Sequence, residues 1–379
     1  MTSELSSLCS YAKGKVSVDT LSKRNYVSTE NMMPNKGGIV DAGALPSAQY
    51  TQQYIKDDIL VSNIRPYFKK IWMADDDGGC SNDVLVFRAD RGCDSTFLYY
   101  ILANDAFFNY ASATSKGTKM PRGDKTAIMQ YKVPCFNYET QLRIGKLLRS
   151  IDDRIAVNKK INDNLQQQLS SLYENMATAS PCLKEYTLSN LCDFQEGYVN
   201  PPQTHPEYFD GEVKWLRAVD INESFIIETS RTLTKAGFES AKKSALLFEP
   251  NTIAISKSGT IGRLGIIADY MCGNRAVINI APHDTNMLAF IYCFLKSKQR
   301  EFPDMAVGSV QKNLYVSLLE PLSVSIPDNE SLTAFNAVGA SILGMIHNNC
   351  VENTDLANLR DTILPKLMSG EIDVSSVLL

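Results

Sequence analysis

The sequence predicts an α+β protein: two pseudo-symmetric, mixed α/β-rich globular domains joined by two long helices that form an antiparallel coiled coil. Three observations predict it. Residues 151–176, "IDDRIAVNKKINDNLQQQLSSLYENM", place Ile151, Ile155, Asn158, Asn162, Leu165, Leu169, Leu172 and Met176 at alternating spacings of four and three, the mark of one helix face packed on another. The same face recurs 191 residues later as Ile342, Ile346, Asn349, Asn353, Leu356, Ile363 and Leu367, with Arg360 opposite Leu169 as the one break in polarity. Upstream, Ile144 meets Phe335 and Leu147 meets Val338. Shorter segments before each helix repeat more loosely, so the chain reads as two copies of one unit.

The first copy opens with a domain over residues 1–137. "DILVSN", "DVLVFRA" and "IMQYKVP" are short apolar runs between turn-forming residues and predict strands, and "STFLYYILANDAFFNYASA" (95–113) predicts a helix buried on one face. A spacer helix follows over 138–178. Its body is expected from Glu139 to Met176, capped by Asn137 and stopped before Pro181, about 57 Å at 1.5 Å per residue. The second domain, 179–327, repeats the pattern. "KDDILVSNIRP" (56–66) matches "EPNTIAISKSG" (249–259), "CSNDVLVF" (80–87) matches "CGNRAVINI" (272–280), and "FLYYIL" (97–102) matches "FIYCFL" (290–295), with Tyr99 on Tyr292. These aromatics read as core. "KVPCFN" (132–137) and "SIPDN" (325–329) each stand just before a helix. The last segment, 328–379, is the C-terminal spacer helix and tail, with Pro365 expected to bend its last turns and Gly370 to end it.

Four asparagines in the seam need a reason, because a buried amide is unfavourable until it finds a partner. Asn158, Asn162, Asn349 and Asn353 sit near the middle of their helices. Antiparallel pairing would let them meet as a polar layer that sets register, with some loss of stability. A half-exposed, merely tolerated amide is the plainer reading of each.

Composition narrows the function classes. The 379 residues are 44% hydrophobic, enough for two or three cores. No apolar run approaches the roughly 20 residues of a membrane span, and the N-terminus lacks the apolar centre of a signal peptide. Nine cysteines stand singly, as expected of reduced thiols in a cytoplasm, and the three histidines lie far apart in sequence, which argues against a metal site. Net charge is −4. It is distributed as +2 over 1–137, +1 over 138–178, −2 over 179–327 and −5 over 328–379. Charge alone therefore does not mark a nucleic-acid binder.

Catalytic motifs are missing or incomplete. "YVNPPQ" (198–203) resembles the loop that positions an amino group in amino-methyltransferases, but Gln203 stands where the stacking aromatic belongs. Glu212 and Lys214 form half of a nuclease-like pair, without an acidic partner before them, and "GEVKW" reads equally well as a plain strand. "SKSGTIGR" (256–263) is glycine-rich but is no phosphate-binding loop of the GxxxxGK[ST] kind.

Taken together, "YVSTENMMPNKGGI" (26–39), "GTKMPRGDK" (117–125), "YFDGEVKWLRAVDI" (208–221), "TLTKAGFESAKKSALLFEPNTI" (232–253), "SGTIG" (258–262), "GSVQKNL" (308–314) and "LRDTILPKLMSGEI" (359–372) resemble the specificity (S) subunit of type I restriction–modification enzymes, over essentially the whole chain. The resemblance implies a non-catalytic subunit with two target-recognition domains, each reading half of a bipartite double-stranded DNA target. It implies that the paired helices set the spacer between half-sites and dock two modification (methyltransferase) subunits, with restriction/translocase subunits joining the full complex. S-adenosylmethionine, ATP and Mg would belong to those partner subunits and none to this chain, and the setting would be cytoplasmic.

Candidate DNA-binding residues follow from two polar loops at matched places and from the glycine-rich turn. They are Lys116, Thr118, Lys119 and Arg122 in the first copy, and Lys257, Ser258, Thr260, Arg263, Ser309, Gln311, Lys312 and Asn313 in the second. These residue types meet phosphates and base edges. The alternative is a coiled-coil scaffold or adaptor that binds proteins rather than DNA, which would want apolar anchors in those loops. If the helices are a ruler, one heptad added at repeat-matched points, after Leu165 and after Leu356, should lengthen the spacer.

Overall fold

The computed structural model describes residues 2–179, 184–309 and 311–375. Pro181, the expected stop of the first long helix, lies outside the described residues. The chain divides into two compact units, Met1–Arg154 with Leu356–Leu379, and Ile155–Asp355.

In the first unit, β1 (Cys9–Tyr11), β2 (Ile59–Ser62), β3 (Ile71–Met73) and β4 (Val84–Ala89) form an antiparallel sheet in the order β1-β4-β2-β3. Ile59, Val61, Ile71, Leu85 and Phe87 pack on α1 (Ser95–Ala103) and α2 (Asp105–Ala113) through Phe97, Ile101, Phe107 and Phe108. The single helix expected over 95–113 is two. Asn104 takes an extended backbone, ψ 139°, and its side chain accepts from the Ala106 amide at 2.9 Å, so the residue that ends α1 also caps α2. "IMQYKVP" divides likewise. Asp124 caps a short helix, Lys125–Met129, which takes the first two residues of the expected strand and leaves only Lys132–Pro134 extended. That strand pairs with Thr2–Glu4.

The helix α3 (Tyr138–Ala179) starts where Asn137 accepts from the Thr140 amide at 2.8 Å, the expected cap. In the second unit β5 (Cys192–Glu196), β6 (Phe225–Ile226), β7 (Ile253–Ser256), β8 (Leu264–Ile267) and β9 (Val277–Pro282) form a sheet in the order β5-β9-β7-β8-β6. Its first four strands repeat the first unit's order, and β6 adds a parallel edge. The helix α4 (Leu288–Lys298) covers the sheet as α1 does, with Tyr292 buried. The helix α5 (Asn329–Ser369) is capped by Asp328 on the Ser331 amide, runs through Pro365, and ends at Gly370, φ +77°.

Inside the second unit α3 and α5 run antiparallel. Asn158 Nδ2 donates to Asn353 Oδ1 at 3.0 Å and to Glu352 Oε2 at 2.8 Å, and Asn349 Nδ2 donates to Asn162 Oδ1 at 2.8 Å. Asn158 and Asn162 are buried. Repetition maps Asn158 onto Asn349, but antiparallel pairing joins each asparagine to the copy of the other one. Leu165, Leu169, Ile342 and Ile346 flank this layer in the core.

Two expected seam positions are corrected. Leu172 and Val338 are exposed. Tyr173 instead packs on Phe290 and Phe335, and Gly339 replaces Val338 at the seam, where an added Cβ would lie 2.6 Å from Ala289 Cβ. A straight helix turns every 3.6 residues, so a strict 3.5 repeat drifts off the buried stripe.

The polarity break at Arg360 has an internal answer. In the first unit its guanidinium meets Asp152 Oδ1 at 2.6 Å, and the Tyr100 hydroxyl donates to Asp152 Oδ2 at 2.6 Å. The repeat-related positions in the second unit are Leu169 and Leu343, both core. One copy is apolar at both places and the other is charged at both.

Candidate nucleic-acid interface

Three loops converge at one end of each sheet. Lys116–Arg122 is a closed loop: the Lys116 amide donates to the Arg122 carbonyl at 2.8 Å and the Arg122 amide to the Lys116 carbonyl at 2.9 Å. Val307–Asn313 closes identically, at 3.0 and 2.9 Å. Both turn on a second-position glycine of positive φ, Gly117 at +96° and Gly308 at +141°. At Gly308 an added Cβ would sit 2.2 Å from the Gln311 carbonyl oxygen, so loop closure itself excludes a side chain.

Each loop is tied to the turn after the sheet's central strand. The Gly123 amide donates to the Asn63 carbonyl at 3.2 Å, and the Leu314 amide to the Lys257 carbonyl at 2.9 Å. That turn is tied to the hairpin before the next strand, by the Asn63 amide on the Asp83 carbonyl at 2.8 Å and the Lys257 amide on the Ala276 carbonyl at 2.7 Å. The backbone framework is therefore the same in both units, while the side chains on it differ.

In the first unit Lys116, Thr118, Lys119 and Arg122 are all exposed on one loop. Lys116 pairs with Asp124 at 2.5 Å and Arg122 with Asp83 at 2.9 Å. The Lys116 ammonium, then the Ala127 and Thr126 amides, hold the Asp124 carboxyl below its usual range. Lys119 has no ion partner among the described residues. In the second unit the Lys257 turn and the 307–313 loop meet through the Lys257 carbonyl. The Lys257 side chain is only 13% exposed, pairs with Glu196 at 2.9 Å and lies over the Tyr315 ring at 4.8 Å, so it braces the site from inside. Thr260, Ser309, Gln311 and Lys312 are exposed; Ser258, Arg263 and Asn313 are half-buried. Asn313 Nδ2 donates to the Gln311 carbonyl at 3.1 Å. The four asparagines stand apart from these loops, in the helix seam.

Three of the expected cations thus already face carboxylates, and the surface they leave is polar rather than strongly basic. Sequence reasoning missed Asp83 and Glu196, and above all Arg65, whose place opposite Gly259 in the matched segments was available as a signal. Among the described residues no three His, Cys, Asp or Glu side chains converge as a metal site, and no helix is long and apolar enough to cross a membrane.

Residues 1–167 and 183–354 each match the family described as Type I restriction modification DNA specificity domain. The chain is similar to the Type I restriction enzyme HindI specificity subunit of Haemophilus influenzae, 27% identical over 92% of this chain and 94% of that one. It is similar also to the MjaIX specificity subunit of Methanocaldococcus jannaschii, 24% identical over 76% and 71%. In structure it is similar to the S subunit of a type I restriction–modification system from M. genitalium, with a TM-score of 0.54, 19% identity, and 97% and 96% of the two chains covered.

Proposed function

The chain belongs to the type I restriction–modification DNA specificity family, and from that premise we propose that it is the non-catalytic specificity subunit of a type I complex, each unit reading one half of a bipartite DNA target. The observation that supports this reading best is the pair of closed loops, repeated at the same 191-residue offset as the helices and held on the same backbone ties. Such a frame presents exchangeable polar side chains at a constant position, which suits readers of different bases. In this reading Lys119 and Lys312 meet phosphates, and Thr118, Ser309 and Gln311 are placed for base edges. Lys116, Arg122, Lys257, Ser258, Thr260, Arg263 and Asn313 shape the loops or flank them. The asparagine layer holds register.

The same reading assigns the paired helices the spacer and the docking of two modification subunits. S-adenosylmethionine, ATP and Mg belong to partner subunits, and the complex works in the cytoplasm. A fixed gap between two readers follows the logic by which paired DNA-binding modules recognise spaced half-sites. Among the described residues the adaptor alternative finds one exposed apolar side chain in each loop, Met120 and Val307, too few for a protein hot spot.

The test is adenine methylome sequencing of a host with and without this gene, together with its modification subunits. A two-part motif that depends on the gene is expected. The lone chain should transfer no methyl group from labelled S-adenosylmethionine. A gene-independent methylome, or methyl transfer by the lone chain, overturns the reading.

A further inference from the structure

The turn after the central strand is built twice, once with a glycine and once with an arginine. In the second unit it runs from Ser256 to Arg263, closed by the Ser256 amide on the Arg263 carbonyl at 2.9 Å, and its third residue past the strand is Gly259, φ +77°. In the first unit it runs from Ser62 to Lys70, closed at 3.1 Å, and the residue in that place is Arg65, φ +50°, ψ 66°. Left-handed backbone is unfavourable for a residue with a Cβ, and the Pro66 that follows favours extended backbone instead. The second copy closes its turn one residue shorter and with glycine in that place, so both turns use left-handed backbone there but only the first puts a side chain on it. Strain kept at one copy, where a relaxed residue would serve, points to the side chain.

That side chain is unspent. Arg65 Nε is buried with no hydrogen-bond partner, and its guanidinium has no carboxylate partner among the described residues. The neighbouring cations Lys116 and Arg122 do have such partners. The Arg65 amide donates to the Pro121 carbonyl at 2.8 Å, which places the residue against the base of the closed loop. Asn63 beside it is also buried with an unpartnered Oδ1. A half-buried stem and a fixed backbone limit where the guanidinium can go, and this suits a base edge better than a phosphate. The planar fork matches the O6 and N7 acceptors of guanine in the major groove.

We propose that Arg65 is a specificity-determining residue of the first unit, reading a guanine in one half-site. The proposal rests on the reading of the chain as a specificity subunit. The second unit, with glycine in that place, reads its half-site without this contact.

The experiment is methylome sequencing with the full complex carrying wild type, Arg65→Gly or Arg65→Lys, alongside thermal unfolding of each chain and DNA affinity measured across salt. Arg65→Gly should unfold no earlier than wild type, since glycine relaxes φ +50°. It should lose roughly tenfold discrimination at one position of one half-site, the other half unchanged. Arg65→Lys keeps the charge but not the fork and should lose the same discrimination. An unchanged motif with either folded variant overturns the proposal. So does a uniform loss of affinity for all sequences with a flatter salt dependence, which marks a phosphate contact. Early unfolding of Arg65→Gly shows a structural role and overturns it too. If wild type itself yields no two-part motif, the specificity reading fails first and Arg65's role falls with it. A wild-type motif left intact by both variants sinks Arg65 alone.

Discussion

Replacing Asn162 and Asn349 by leucine, singly and together, measures what the polar layer contributes to the second unit. Asn162 is 6% exposed and its Oδ1 accepts from Asn349 Nδ2 at 2.8 Å. Asn349→Leu removes that donor and leaves the acceptor in an apolar seam, a loss of about 1–3 kcal/mol, against a gain of about 1 kcal/mol from a half-buried leucine. Asn162→Leu buries a full leucine for about 2 kcal/mol and leaves Asn349, half-buried, able to turn toward water. The double variant has both gains and no orphan, so it should be about 2–3 kcal/mol more stable than wild type. The coupling energy should then be about 2 kcal/mol. The chain has two tryptophans, Trp72 in the first unit and Trp215 in the second, and Trp215 is buried with its Nε1 on the Val199 carbonyl at 2.8 Å. In a Trp72→Phe background, urea unfolding followed by tryptophan fluorescence therefore reports the second unit. A coupling below about 0.5 kcal/mol would mean that the amides do not sense each other and that the layer is water-fed.

Three further outcomes are expected. Arg360→Leu alone should destabilise the first unit by about 1–3 kcal/mol, because Asp152, left with only the Tyr100 hydroxyl, loses its cation. Arg360→Leu with Asp152→Leu and Tyr100→Phe, which leaves no member of the cluster unpaired, should restore it, as denaturant midpoints followed by Trp72 fluorescence will show. One heptad added to both helices should lengthen the methylated spacer by about three base pairs, from roughly 10 Å of helix and 3.4 Å per base pair, read by methylome sequencing. The insertions belong after Arg154 and after Asp355, where the chain passes from one unit to the other, so that the asparagine layer inside the second unit stays whole. The repeat-matched points, Leu165 and Leu356, would slide Asn158 and Asn162 away from their partners. The Lys116–Asp124 pair gives the first closed loop a pH signature. Asp124's carboxyl is depressed, so its contribution is full above the usual carboxylate pKa, about 3.9, and fades as pH falls through its lowered value. Exchange protection of the Lys116 and Arg122 amides should hold from pH 7 to 5, and early loss in that window would refute the pair's role.

Some of this was legible in the chain and some was not, for physical reasons. Duplication is visible as paired strings, so both long helices, their Asn137 and Gly370 ends and the buried asparagines could be read before any coordinates. Leu172 and Val338 misled because an apolar residue one place off a 3.6-residue stripe looks like a seam residue on a 3.5-residue count. The break at Asn104 was hidden because asparagine both ends and begins helices. The partner of Arg360 could not be read by matching one helix to its copy, since Asp152 lies on the opposite helix. Loop candidates were drawn by residue type, and that cannot distinguish Lys119, free at the surface, from Lys257, braced against Glu196. Arg65 was overlooked because the letter alone does not reveal a positive φ, and its match to Gly259, which does hint at one, fell past the end of the matched strand.

The crossed asparagines carry an implication about symmetry. Since Asn158 repeats as Asn349 yet binds Asn353, and Asn162 repeats as Asn353 yet binds Asn349, a lone half-length chain already owns both members of each contact. Two identical half-chains, laid head to tail, would satisfy the same amide rule that one full-length chain satisfies internally. Joining two such halves would need no new interface, only a linker. Joined halves can also differ, as Leu169 with Leu343 on one side and Arg360 with Asp152 on the other do. Two identical half-chains would be confined to inverted-repeat targets, whereas unlike halves in one chain are not.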